Sequence, residues 1–302
     1  MTLDVILLAL VDGLSYAGLL FLVALGLTLI FGVMGVLNVA HGSLYAFGGY
    51  TAATLVVWAS GLGQAPTILL VAALFAAALI MGGALGAVLE TGLLRRVQDK
   101  DPVLQLLITF GVFLILEDVQ QLIWGTAPYS ASEVVGRLGT TELFSITYTN
   151  YQLLFIPLVA LIAYAMLQYF LRYTRTGRQI VAVTYNAEVA TALGIHAKRI
   201  RLVTFVGGAI LGALGGALAA PITSLVPGVG TDMIVLSFSV VATAGLGQIT
   251  GALVAAVMIG LARSLAVYTM PEFDVIVPYL IMVAVLLVRP HGLFTVAQAR
   301  RI

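Results

Sequence analysis

From Gly13 to Leu89 the chain carries no Asp, Glu, Lys or Arg, and its one imidazole in that run is His41. A helix crosses the ~30 Å hydrocarbon core in ~20 residues, so this run holds more than two crossings. The whole chain agrees: 61% of residues are hydrophobic and 9% charged, against about 25% charged in soluble domains. A soluble enzyme, a disordered chain and a nucleic-acid binder are excluded, the last because a net charge of +1 without a basic stripe makes no phosphate-binding footprint. The fold class that remains is an all-α, polytopic transmembrane helical bundle in a lipid bilayer. Cysteine is absent, which removes disulfides and thiolate chemistry.

Charge gaps and Gly/Pro breaks predict helices near 5–33, 43–60, 67–94, 103–124, 151–172, 201–220, 233–270 and 273–289. Val5 to Phe31 is expected to stay as the first membrane helix, since Asp4 stands where a secretory leader carries Lys or Arg. Twelve of the 14 Lys and Arg fall in three clusters: 95–100, 172–201 and 289–301. All three are expected to face the cytoplasm. An even number of crossings must then separate Arg201 from Arg289, so 233–270 must break, and Gly245-Leu-Gly-Gln-Ile-Thr-Gly251 is where it does. The expectation is about 8–9 membrane segments with broken or re-entrant half-helices, the N-terminus outside and the C-terminus inside. If 43–60 is re-entrant, the N-terminus lies inside instead.

Each half holds one polar, Gly-interrupted membrane segment, near 35–50 and near 228–251. Paired broken helices are the sequence pointer to a transporter's binding site. They carry the candidate pathway residues Asn38, His41, Tyr45, Thr243 and Gln248, with His41 reading equally as a packing histidine. The glycine runs at 82–86 and 207–216 read instead as close helix packing.

The chain has two lysines, Lys100 and Lys198, neither after glycine, so no phosphate-binding loop is possible. No metal-binding or catalytic set stands out, and the chain reads as no enzyme. Glu117, Asp118 and Arg263 share a depth near the outer interface and are expected to form a structural ion pair rather than a proton relay. Asp12 and Glu90 lie near helix ends, where water is expected to reach them.

Between two spans, Asn186-Ala-Glu-Val-Ala-Thr-Ala-Leu-Gly194 is a short helix with a stop at each end. Asn186 suits the N-cap, Glu188 the positive helix end and Gly194 the C-terminal turn. Val189, Ala190 and Leu193 form an apolar face, which suggests docking of a soluble partner.

Four stretches carry a family resemblance: Gly26 to Gly42, ending Asn38-Val-Ala-His-Gly; Asn186 to Ile195; Gly245 to Gly251; and Arg289-Pro-His-Gly-Leu-Phe294. Together they resemble the integral permease of branched-chain amino acid ABC importers, the LivH-like branch. The resemblance implies one permease domain over 1–302 in the bacterial inner membrane. It also implies a second related permease subunit, two cytoplasmic ATPase subunits and a periplasmic substrate-binding protein. The segment 186–194 is then the coupling helix, and ATP is bound by the partner subunits, with no cofactor in this chain. Members often have a lysine where this chain has Leu236-Ser-Phe238, and an acidic residue where it has Ala262-Arg263-Ser264. The substrate therefore stays open between hydrophobic amino acids and urea, short amides or aromatic carboxylates. A self-contained ion-coupled carrier or channel is the reading from another class.

Overall fold

In the computed structural model, which describes residues 3–61, 63, 65–98, 100–143 and 146–294, the apolar runs become helices broken where glycine and proline fall. Helix α1 (Leu3–Met34) is followed by α2 (His41–Gly61) and by α3 (Thr67–Leu89), which runs on through a π-turn at Glu90–Leu94 into α4 (Arg95–Val97). Next come α5 (Pro102–Trp124), the short α6 (Glu133–Arg137) and an antiparallel hairpin of β1 (Thr140–Leu143) and β2 (Ile146–Thr149). A π-turn at Tyr151–Phe155 leads into α7 (Ile156–Tyr173), then α8 (Arg175–Tyr185) and α9 (Ala187–Ala192). The chain closes with α10 (Ala197–Ala219), α11 (Val229–Ala244), α12 (Ile249–Thr269) and α13 (Val277–Val288).

Six of these helices are long and apolar enough to cross a membrane. The all-α bundle is therefore present, with a two-stranded hairpin added between α6 and α7. Helix α11 has 16 residues and α13 has 12. At 1.5 Å per residue each is shorter than a bilayer core.

Helices α1 and α10 form the centre, with α2, α3, α7, α11 and α12 packed around them. The packing is close because glycines face backbone. A Cβ on Gly82 would lie 2.5 Å from the Ile210 Cα, and one on Gly216 would fall on the Tyr45 carbonyl. The glycine runs at 82–86 and 207–216 thus let α3 and α2 approach α10.

The basic clusters gather at one end of the bundle. Arg201 Nη1 donates to Gln98 Oε1 at 2.7 Å, tying the start of α10 to the end of α4. Val33 of α1 packs on the small core of Ile180, Val183, Ala190 and Ile200 that seats α8 and α9. Gly247 lies against Gly32. The opposite end holds α6, the hairpin and the Tyr129–Leu225 bridge. Arg300 and Arg301, counted in the third basic cluster, lie outside the described residues. Glu90 corrects one expectation: it is buried, not wetted, and accepts from Arg95 Nη2 at 3.1 Å inside the π-turn.

Candidate functional site: a polar cavity, two helix breaks and a capped short helix

The first break spans Gly35 to Ala40, where Gly35 has φ +67°. It turns the chain back so that α2 starts beside the middle of α1. His41 is fully buried there; its Nε2–H donates to the Val23 carbonyl at 3.1 Å. A Cβ on Gly212 would come within 2.8 Å of its ring, so His41 is wedged between α1 and α10. Asn38 is likewise buried, and Val39 N–H donates to Thr109 of α5 at 3.4 Å.

The second break lies between α11 and α12, where Gly245 and Gly247 have φ +100° and +80°. Residues 289–294 fold onto it. Leu293 N–H donates to the Thr243 carbonyl at 2.9 Å and Phe294 N–H to that of Ala244 at 3.0 Å. A Cβ on Gly245 would lie 2.5 Å from the Phe294 carbonyl oxygen, so only glycine fits. Thr243 is buried beneath this tail, and Gln248 is half-buried at the start of α12.

Towards the non-basic end, lined by residues of neither break, lies a cavity of about 360 Å³. Tyr45 is the one predicted pathway residue on its wall. Asp12, Ser15, Tyr16 and Leu19 come from α1, Gln152 from the π-turn, Thr223 from the loop after α10, Asp232 from the first turn of α11 and Arg263 from α12. The structure thus gathers Tyr45 with charged residues, while Asn38 and His41 support the start of α2, and Thr243 and Gln248 sit under the tail. An ionisable residue within an apolar segment is the signal that singles out Asp232; its neighbours Gly230 and Met233 belong to the segment already marked as broken.

Arg263 corrects a further expectation. Its Nη2 lies 3.6 Å from Asp274, and its guanidinium stacks 4.4 Å from the centre of the Tyr16 ring. It pairs with neither Glu117 nor Asp118. Asp274 follows the end of α12 through a single 3₁₀ turn, Pro271–Phe273, and so comes back within reach of Arg263. Asp12 accepts a hydrogen bond from the Tyr268 hydroxyl.

At the basic end, Asn186 Oδ1 accepts from the N–H groups of Glu188 and Val189, each at 3.0 Å. Gly194 has φ +86°, and the N–H groups of Gly194 and Ile195 return to the carbonyls of Thr191 and Ala190. Both ends of α9 are therefore fixed. The expected apolar face divides. Ala190 is 3% exposed and packs on Ile180, Val183 and Ile200, whereas Val189 and Leu193 are 54% and 78% exposed. Ala190 is thus a seat and not part of the outer surface. Tyr185, the last residue of α8 before the extended Asn186, is exposed as well. Beside it, a groove of about 600 Å³ is lined by Glu188, Thr191, Gly194, Lys198 and Arg201. Helix α8 was not expected: Thr174 caps it, accepting from Gly177 N–H at 2.9 Å, and it carries α9 outward.

Residues 9–286 match the family model described as branched-chain amino acid transport system / permease component. The chain is 29% identical to the high-affinity branched-chain amino acid transport system permease protein LivH of Salmonella typhimurium, over 93% of each chain. It is 30% identical to the probable branched-chain amino acid transport permease protein LivH of Methanocaldococcus jannaschii, over 92% of this chain and 89% of that one. Among solved structures, a chain of PsaBC from Streptococcus pneumoniae in complex with Fab shares the fold, with a TM-score of 0.51 at 13% identity over 96% of this chain and 92% of that one.

Proposed function

The chain belongs to the branched-chain amino acid transport permease family, and from that premise we propose that it is the membrane subunit of an ATP-driven importer for branched-chain or related hydrophobic amino acids. It is a multi-pass membrane transport component and not an enzyme. In this reading the single permease domain 1–302 sits in a bacterial inner membrane with eight or nine segments, α11 and the start of α2 being half-helices. The basic end faces the cytoplasm.

The observation that carries the reading is α9. A helix of six residues, fixed at both ends and seated by Ala190, moves as a unit, and it offers Val189 and Leu193 to a partner. The chain has no phosphate-binding loop, so ATP is bound by two cytoplasmic ATPase subunits that push on 186–194. Through Val183, Ile180 and Ile200 that push reaches α8 and α10. A second related permease completes the membrane unit, and a periplasmic binding protein delivers substrate to the cavity beside Tyr45. From there the route passes the start of α2, with Asn38 and His41, towards Thr243 and Gln248 at the second break.

The test is co-expression with the partner permease and ATPases, followed by affinity purification through this chain. Retention of both ATPases is expected. Purification of the chain free of ATPase, with the partner permease still bound, would overturn the reading.

A further inference from the structure

The cavity carries a carboxylate, Asp232, that no ion pair among the described residues and no docking to an ATPase uses. Its wall holds two carboxylates, Asp12 and Asp232, and one guanidinium, Arg263. Asp12 is engaged by the Tyr268 hydroxyl. Arg263 lies over the Tyr16 ring and stands 3.6 Å from Asp274, an ion pair longer than a hydrogen bond, and none of its N–H groups makes a side-chain hydrogen bond of normal length among the described residues. Asp232 has no ion-pair partner among the described residues and is exposed. Ser15 also faces this space: it is 2% exposed, and its Oγ has no hydrogen-bond partner among the described residues.

The positive end of α11 accounts for an ionised Asp232 by itself. It does not account for a guanidinium that Asp274 reaches only at 3.6 Å, nor for an orphaned buried hydroxyl on the same wall. Those groups are complementary to a small ligand bearing both signs of charge. The volume of about 360 Å³ is at the low end for ligand sites. Leu19, Met233 and Leu236 supply an apolar side.

We propose that this cavity is a binding site in the permease itself for a free amino acid. Asp232 takes the α-ammonium, Arg263 the α-carboxylate, and the ligand side chain lies on Leu19, Met233 and Leu236. Urea offers no charge to either group. An aromatic carboxylate satisfies Arg263 but leaves Asp232 without a counter-ion. The proposal rests on the importer reading and adds to it a site that selects for the zwitterion after the binding protein has released it.

The experiment uses the purified complex of both permeases and ATPases, without binding protein. Equilibrium binding of radiolabelled L-leucine is measured, with isopentylamine (ammonium alone) and 4-methylpentanoate (carboxylate alone) as competitors. Asp232→Asn is expected to weaken leucine and isopentylamine by about tenfold or more while sparing 4-methylpentanoate, and Arg263→Gln to weaken leucine and 4-methylpentanoate while sparing isopentylamine. Asp232→Glu should recover leucine binding, which separates lost charge from lost fold. Equal loss of all three ligands in both variants, or no loss in either, overturns the site. If the wild-type complex takes up leucine with ATP and binding protein yet shows no leucine binding of its own, the site is wrong and the importer reading stands. Absence of ATP-driven uptake of leucine, isoleucine and valine overturns both.

Discussion

Replacing Gly216 with alanine tests whether the centre of the bundle is as close-packed as the geometry requires. Gly216 lies where α10 crosses α2. A Cβ there would fall on the Tyr45 carbonyl, 2.7 Å from its carbon and 3.0 Å from the Gly49 nitrogen. Carbon pairs rest at about 3.5–4.0 Å, and the carbonyl oxygen stands closer still, so the helices would have to part by roughly 1.5 Å. Both obstacles are backbone, and no rotamer change relieves them. The crossing has no slack elsewhere, because a Cβ on Gly48 would meet the Ala213 carbonyl in the same way. Forced overpacking of this kind costs about 1–3 kcal/mol. Gly83 in α3 is the control: nothing lies within 4 Å of its would-be Cβ, and Gly83→Ala should stabilise by about 0.5–1 kcal/mol through helix entropy. Gel filtration of the detergent-solubilised protein after stepwise heating reads both. Gly216→Ala should lower the midpoint and Gly83→Ala should hold or raise it. A wild-type midpoint for Gly216→Ala would refute the argument that the α2–α10 contact is backbone-limited.

Just past the end of α9, Leu193→Asp should reduce ATPase co-purification while leaving the thermal midpoint unchanged, because Leu193 is 78% exposed. Ala190→Arg should lower the midpoint as well, since Ala190 is buried on Ile200; equal stability of the two variants would contradict this division of the helix. A double-mutant cycle between Arg263 and Asp274 should give a coupling of about 0.2–1 kcal/mol, as for partly exposed pairs. The same cycle with Glu117 should be additive. Gly292→Ala should loosen the C-terminal tail, because Gly292 has φ +83° and its Cβ would meet the Gly245 nitrogen. Limited proteolysis should then cut near residue 290 faster than in the wild type, and an unchanged cleavage rate would count against the tail as a clamp.

The breaks and the short helix α9 are legible because each obeys a local rule, whereas α6 and α8 fall outside the predicted helices. Gly35, Gly245 and Gly247 mark the breaks and take positive φ. Asn186 and Gly194 mark α9 and make the expected caps. The charge clusters, balanced by an even number of crossings, required a break between 233 and 270, and α11 ends at Ala244. What escaped depends on which face of an element turns inward. Val189, Ala190 and Leu193 look alike in sequence, yet α8 beneath them buries only Ala190. Depth alone matches Arg263 to Glu117 and Asp118, and depth says nothing of azimuth around the bundle. Its partner Asp274 lies eleven residues on, across a turn that Pro271 opens. The charged cavity was missed for the same reason. Asp12, Asp232 and Arg263 are far apart in the chain and meet only because α1, α11 and α12 pack together.

The central claim is that this chain moves substrate only when an ATPase drives it through α9. Its most direct test is uptake of radiolabelled leucine into proteoliposomes. One set holds the full complex with binding protein and ATP; the other holds this chain alone under an imposed proton or sodium gradient. Uptake in the first set, dependent on ATP and on binding protein, with none in the second, is the expected result. Gradient-driven accumulation by the chain alone would contradict the account.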